Sequence, residues 1–154
     1  MKLFSDSFKE GETIPGKNSF AVYDAENHLR LSDNLNPHLR WEDIPAATRS
    51  LVLLCHDPDV PSEGENVNQP GRTVAVSLPR INFFHWALLN IPPEQHEIAE
   101  GSQSSGITVK GKPGPDAPHG LLHGINDYTY WFAGDEAMAG DYYGYDGPCP
   151  PWND

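Results

Sequence analysis

Two short apolar runs stand out along the chain, and each has polar chemistry beside it. The run 51–55 (LVLLC) leads directly into the segment 56–61 (HDPDVP), and the run 83–91 (FFHWALLNI) carries His85 near its start. Unbroken apolar runs of this length, bounded by turn residues, are typical of buried strands. We therefore predict buried strands over 50–56 and 83–91, and the proline pair that follows ends the second because proline donates no ladder hydrogen bond.

Shorter apolar segments predict a fold that is rich in β-structure. Residues 20–23 form a strand candidate, and residues 73–78 form an edge strand that Pro79 closes. Residues 128–132 have an alternating aromatic character that fits a strand or an ordered loop, and residues 135–138 suit one helical turn. Short strands separated by proline-rich connections are typical of an all-β sandwich, or of a β-rich domain with minor helix. The length suits one domain.

The acidic balance of the chain limits its partners. With 22 acidic residues against 10 basic ones, the formal net charge is −12. This charge argues against nucleic acids and anionic membrane surfaces, and no basic stripe offsets it. Surface charges are screened beyond about 8 Å at physiological salt, so a local ring of donors can still hold a small anion.

The remaining sequence signals favour a cytoplasmic protein without a cofactor. The N-terminus has no apolar signal core, and no apolar run approaches the length of a membrane span. Cys55 and Cys149 are interpreted as free thiols in a reducing compartment, and a disulfide between them stays open because it depends on geometry. The spacing of His119 and His123 suits a metal only on a helix, which the adjacent Pro118 and glycines disfavour, so we predict an ordered loop and no metal.

If the two buried strands lie side by side, Asp57, Asp59 and His85 meet in one small polar pocket. Carboxylates and an imidazole are costly to bury unless they are paired or hydrogen-bonded, so such a pocket points to a function. Structural alternatives stay open. His85 can be a core histidine bonded to a backbone carbonyl, which the sequence alone slightly favours. The two aspartates can be turn residues that accept from amides two positions on, a role that fits Asp59 better than Asp57.

Three separated motifs together resemble the phosphatidylethanolamine-binding proteins, also called Raf kinase inhibitor-like proteins. Segment 57–61 (DPDVP) looks like the first signature of that family, and segments 83–86 (FFHW) and 90–92 (NIP) look like the second. Segment 144–151 (GYDGPCPP) is similar to the loop that closes the ligand pocket of the family. The resemblance covers nearly the whole chain.

Further segments resemble the bacterial branch of this family, namely the loop 62–80 and the stretch 118–131. In the family pattern, the segment that corresponds to Pro150-Pro151 is followed by a strand that bears a His-x-Tyr motif, and this chain stops at Asp154. We therefore expect the natural protein to be longer by a C-terminal strand, since a sandwich that lacks a core strand exposes unpaired backbone groups.

The resemblance implies an antiparallel β-sandwich with a small pocket at one end that binds phosphorylated headgroups or small oxyanions. A phosphate would bond to His85 and to loop amides, and an ammonium group would meet Asp57. The implied ligand-binding residues are Asp57, Asp59, Pro61, Phe83, His85, Gly147, Pro148, Cys149 and Pro150, of which the last four would act through their backbone. Some family members also bind kinases or other signalling proteins.

The leading hypothesis is a cytoplasmic bacterial protein that binds a small anionic or phosphorylated ligand, with modulation of a protein partner as an open extension. One alternative is a small hydrolase or lyase in which His85 is the general base and Asp57 orients it. Another is a kinase-inhibitor-like protein-interaction module with a vestigial pocket. No catalytic residue is assigned, and the oligomeric state is open.

Overall fold

A computed structural model describes all 154 residues and contains eight strands, two of them long, with one turn of α-helix. Single 3₁₀ turns lie at 16–18 and 118–120. The elements are β1 Lys2–Phe4, β2 Ala21–Asp24, β3 His28–Leu31, β4 Leu39–Glu42, β5 Leu51–Pro61, β6 Arg80–Ile91, β7 Glu97–Ile98, β8 Leu122–His123 and α1 Tyr128–Trp131.

The strands form three antiparallel sheets, in the orders β1-β4-β7, β2-β3 and β5-β6-β8. The main core lies between the first and third sheets. Trp41 of β4 and Ile98 of β7 pack there against Trp86 and Leu88 of β6, which are fully buried. The prediction of an all-β, antiparallel sandwich with minor helix is confirmed.

The strand that contains the first apolar run is longer and less buried than predicted. The strand does not end near residue 56 but continues through the DPDVP motif to Pro61. Val52 and Leu54 are each 57% exposed, so only alternate residues face the core. The reason is that one face of this antiparallel sheet packs on the core while the other meets solvent, and successive side chains of a strand point to opposite faces.

A β-bulge in β6 turns the functional end of the second strand inward. Cys55 pairs with Trp86, but His56 pairs with Phe84, so His85 is an extra residue in β6. The extra residue interrupts the two-residue alternation, and His85 and Trp86 are both buried although they are adjacent. Bulges commonly re-aim side chains in this way.

The opposite strand carries its own bulge, within the DPDVP motif. Asp57 pairs with Phe83, and Val60 pairs with Ile81, so β5 has one residue more than β6 in this interval. The two bulges lie on either side of the Asp57–Phe83 pair. They bend the ladder at the point where the aspartate and the histidine meet.

Two of the weaker sequence predictions are corrected by the structure, and one is confirmed. The strand predicted over 20–23 is present as β2. Residues 73–78 form no strand, because the amide of Val74 donates to Asn153 instead of to a neighbouring ladder and Leu78 closes a turn. The aromatic segment that starts at Tyr128 is the helix α1, whose first turn forms on the carbonyl of Asp127.

The alternation along β5 and β6 gives a matched pair of stability tests. Leu88→Ala should lower the free energy of unfolding by about 2–5 kcal/mol, because it leaves a cavity at a fully buried position. Leu54→Ala should cost less than about 1 kcal/mol, because that side chain faces solvent. Urea denaturation measures both, and equal losses would mean that both faces of the ladder are buried.

Candidate functional site

A cavity of about 360 Å³ opens at one end of the β5–β6 ladder, beneath the loop 144–150. This volume lies within the usual range of small-molecule sites. Seven of the nine predicted ligand-binding residues line it, and two do not. Those on the wall are Asp57, Asp59, Pro61, Phe83, His85, Cys149 and Pro150.

The ring of His85 is buried and is held in one orientation. Its Nδ1 donates to the carbonyl oxygen of Asp146 at 2.7 Å, and its Nε2 has no partner although it is buried. A carbonyl only accepts, so Nδ1 carries the proton and Nε2 of the neutral ring keeps a lone pair. Burial lowers the pKa of His85, although the Asp146 carbonyl and the charge of Asp57 partly oppose this effect. The cavity wall therefore contains an unsatisfied acceptor.

The turn role that the sequence assigned to Asp59 belongs instead to Asp57. Asp57 is half-buried, and its Oδ1 accepts the amide of Asp59 at 2.8 Å. The Asp59 side chain is 83% exposed and lies 3.9 Å from Nε of Arg80. The structure shows no hydrogen bond between Asp57 and His85, so the orienting contact of the hydrolase alternative is replaced by the Asp146 carbonyl.

Gly147 and Pro148, which were predicted to contact a ligand, do not line the cavity, and their backbone polar groups bond to the surrounding protein. The Gly147 amide donates to Oδ1 of Asn34 at 2.8 Å, and its carbonyl accepts the Tyr128 hydroxyl at 2.8 Å. A Cβ on Gly147 would clash with the carbonyl oxygen of Asn18, so only glycine fits.

The loop therefore offers fewer amide donors than the sequence implied. The Pro148 carbonyl accepts the amide of Phe20 at 3.0 Å. Pro148 and Pro150 have no N–H, and the Gly147 amide is already bonded. Within 147–150 only the Cys149 amide is left without a protein acceptor.

The carboxylate of Asp146 is the centre of a buried hydrogen-bond network next to the cavity, and no sequence pattern predicted it. Its Oδ1 accepts from Nζ of Lys112 at 2.6 Å and from Nδ2 of Asn34 at 2.7 Å, and its Oδ2 accepts from Nδ2 of Asn126 at 2.8 Å. The side chains of Asp146 and Lys112 are only 2% and 12% exposed. Because the three partners come from three distant loops, no local pattern announces them.

The backbone of Asp146 completes the connection to β6. Its amide donates to the carbonyl oxygen of His85 at 3.1 Å, while its carbonyl accepts from the His85 ring. The loop is thus joined to the histidine by a reciprocal pair of hydrogen bonds. The buried carboxylate fixes the loop, and the loop fixes the ring.

The charges on the cavity wall are negative. Asp57, Asp59 and Asp154 line the cavity, and neither lysine nor arginine does. Arg80 is engaged in a bidentate pair with Asp154 at 2.5 and 2.7 Å, which lowers the pKa of that carboxyl. A ligand that enters this cavity is therefore favoured by a positive group of its own.

Aromatic rings make up much of the rest of the wall. Tyr128 stacks on Phe20 and Phe132 at centroid distances of 4.8 and 5.6 Å, and it meets the edge of Phe83 at 5.0 Å. Ring faces attract ammonium groups, and this attraction grows where water is excluded. The aromatic and acidic walls thus favour the same kind of group.

A second, more open depression of about 700 Å³ adjoins the cavity across Pro61, Phe83 and Trp131. It shares these residues with the cavity but contains neither Asp57 nor His85. The smaller space is therefore the one that brings Asp57 and His85 together.

The other groups that the sequence singled out are accounted for within the fold. His123 accepts from the indole of Trp86 at Nδ1 and lies 3.2 Å from the Gln103 carbonyl at Nε2, so both nitrogens are occupied. Cys55 and Cys149 are free thiols, and burial raises the pKa of Cys55 to about 11. The structure contains no helix of the length and apolar character needed to span a membrane.

Comparison with known proteins agrees with the motifs. The sequence model of the family described as phosphatidylethanolamine-binding protein matches residues 4–154. The chain belongs to the phosphatidylethanolamine-binding protein family. The resemblance carried by the three motifs is therefore confirmed.

Curated relatives within this family are UPF0098 proteins. YbhB of Escherichia coli is 28% identical over 98% of this chain, and the Aquifex aeolicus protein is 31% identical over 98% of it. The matched region makes up 69% and 59% of the lengths of these two proteins. These relatives support placement in the bacterial branch.

Solved structures show the same fold. YbcL of Escherichia coli is described as a new member of the mammalian phosphatidylethanolamine-binding protein family. Its structure has a TM-score of 0.61 over 97% of this chain at 23% identity. A Chlamydia trachomatis protein, described as a homolog of phosphatidylethanolamine-binding proteins, has a TM-score of 0.56 over 97% of this chain at 27% identity. The matched region makes up 66% and 65% of those two chains.

The Asp146 network predicts a large loss of stability when its charge is removed. Asp146→Asn keeps the volume but leaves the mostly buried Lys112 ammonium without a counter-charge, so unfolding should become easier by about 3–5 kcal/mol. Asp59→Asn is the matched control, because it removes an equal charge from an exposed side chain. Its expected cost is below about 0.5 kcal/mol. Similar small losses for both variants in chemical denaturation would contradict the central role of Asp146.

Proposed function

We propose that the cavity binds a small phosphorylated amine, such as the headgroup phosphoethanolamine, through both of its charges. The observation that carries this proposal is the unpartnered, buried Nε2 of His85 in the same cavity as Asp57. Asp57 lacks a cationic partner and Nε2 lacks a hydrogen-bond partner. The ammonium group of such a ligand is a counter-charge for Asp57, and its phosphoryl group can bond to Nε2 when a proton lies between them.

The amine end of the ligand is recognised by the acidic and aromatic wall. Asp57 is held in place by its own bond to the Asp59 amide, so its carboxylate is positioned before a ligand arrives. Tyr128 and Phe83 add ring faces and edges close by. A bare oxyanion would meet the Asp57 carboxylate, which has no cationic partner, so we propose a phosphorylated amine in preference to a simple oxyanion.

The phosphoryl end is recognised by His85 and by neutral donors. The Cys149 amide and the side-chain amide of Asn68 belong to cavity-lining residues, and neither group donates to another protein atom. Hydrogen bonds from such groups to a charged oxygen are stronger than bonds between neutral groups. Because both cysteines are free thiols, we propose the cytoplasm as the site of action.

The direct test is titration with phosphoethanolamine, followed by calorimetry or NMR. His85→Ala should weaken binding by about 10- to 100-fold, which corresponds to the loss of one hydrogen bond to a charged group. His56→Ala is the control, because His56 is exposed and stacks on Phe84 on the other face of the sheet. Unchanged affinity in His85→Ala would refute the assignment of the site.

Asp57→Asn should change the preference between ligands as well as the affinity. The introduced asparagine side chain would still accept the Asp59 amide and so keep the turn, but it would no longer attract an ammonium group or repel a phosphate. We expect binding of phosphoethanolamine to weaken about tenfold and binding of inorganic phosphate to strengthen. If both affinities moved in the same direction, Asp57 would not be the amine-recognising group.

A further inference from the structure

His85 lines the cavity, and its ring carries an acceptor without a partner. Its single N–H is used on the Asp146 carbonyl at 2.7 Å, and Nε2 has only a lone pair in the neutral ring. A fully ionised phosphoryl oxygen is also an acceptor only. Two acceptors that face each other repel. A contact between Nε2 and a phosphoryl oxygen therefore needs one more proton than the neutral ring and the phosphoryl dianion carry between them at neutral pH.

The elements around the ring do not supply that proton from a cationic side chain. On β5 the facing titratable groups are Asp57 and Cys55, whose thiol has a raised pKa. On α1 the Tyr128 hydroxyl donates to Gly147, and just before α1 the Asp127 carboxylate accepts the Phe84 amide.

The closing loop and the rim are also without a free cation. The loop contributes the Asp146 carboxylate, which is bonded to Lys112 and two asparagines, and the thiol of Cys149. The rim contributes the carboxylates of Asp59 and Asp154. The lowered pKa of His85 agrees with a ring that is neutral before a ligand enters.

We propose that a phosphoryl group enters this cavity together with one proton, which lies between Nε2 of His85 and a phosphoryl oxygen; this rests on the proposed function of the cavity. The proton comes from solvent. It either forms an imidazolium that donates to the dianion or stays on the ligand as a monoanion that donates to the neutral ring. In both cases one N–H···O or O–H···N bond replaces the repulsion of two acceptors, and one proton is taken up from bulk water.

Proton uptake makes the affinity depend on pH with a definite sign. Phosphomonoesters lose their second proton near pH ~6, so above that value the ligand is mainly a dianion in solution. We expect the affinity for phosphoethanolamine to rise by up to about tenfold for each unit by which pH falls from about 8.5 toward 6.5, as one linked proton requires. Protonation of Asp57 at much lower pH would reverse this trend.

Calorimetry of the chain at about pH 7.5 in Tris and in HEPES tests the proposal, because the buffers differ in ionisation enthalpy. Uptake of close to one proton per phosphoethanolamine bound supports it. Ethanolamine O-sulfate, whose ester carries no proton in this range, separates the two proton positions. Binding of the sulfate with proton uptake places the proton on His85, and failure of the sulfate to bind places it on the phosphoryl group. Binding of either ligand without proton uptake overturns the proposal.

A fixed donor in place of the histidine gives an independent test. His85→Gln supplies an amide N–H that does not titrate, so binding should persist within about tenfold while its pH dependence between about 6.5 and 8.5 disappears. His56→Gln, at an exposed position on the other face, should keep the wild-type slope. A wild-type slope in His85→Gln would overturn the proposal. If the affinity for phosphoethanolamine did not vary with pH, the proposed proton uptake would be rejected but the proposed function would stand. If phosphoethanolamine did not bind at any pH, the proposed function would be rejected as well.

Discussion

A single buried carboxylate, that of Asp146, holds together the parts of the chain that build the cavity. It accepts hydrogen bonds from Lys112, Asn34 and Asn126, which lie on three separate loops. A carboxylate in such a dry place is tolerated only when its oxygens are satisfied and its charge is compensated. Both conditions are met, so the network fixes the loop 144–150 in one conformation. The loop then sets the tautomer of His85 through its backbone.

The strands bring the opposite wall to the same point. An extra residue in β6 makes His85 and Trp86 both face inward, and an extra residue in β5 bends the strand after Asp57. The aspartate and the histidine therefore share one cavity without bonding to each other. Each keeps its capacity for a ligand, because the bond that fixes Asp57 comes from the Asp59 amide and the bond that fixes His85 comes from the loop.

The electrostatic character of the cavity follows from these fixed groups. Its wall has three carboxylates, several aromatic rings and a neutral imidazole, and no lysine or arginine. Such a wall stabilises positive charge, and this is the basis of our proposal that a phosphoryl group enters only together with an amine or a proton. The family name alone would not lead to this distinction.

The sequence was informative where the chemistry lies on the two long strands. The apolar runs located β5 and β6, and the pairing of Asp57 with the segment that bears His85 followed from their adjacency. An unbroken apolar run did not reveal that β5 is an edge strand with Val52 and Leu54 exposed, because burial depends on what covers the other face. The bulges also escaped prediction, since a bulge is a property of two paired strands. The loops were less predictable for a different reason. The end of the motif 144–151 lines the cavity, but the partners of Asp146 lie 20 to 112 positions away and have no pattern that links them. As a result Gly147 and Pro148 were predicted as ligand contacts, although their polar groups bond to the surrounding protein.

The most direct measurement is ¹⁵N NMR of the histidine rings in the ligand-free protein at about pH 7.5, with His85 assigned by its absence in His85→Gln. If the Asp146 network fixes the loop 144–150 and the loop fixes the ring of His85, the ring must have a single tautomer. Its proton is then on Nδ1, and Nε2 carries no proton. A proton on Nε2, or rapid averaging between the two tautomers, would contradict this account.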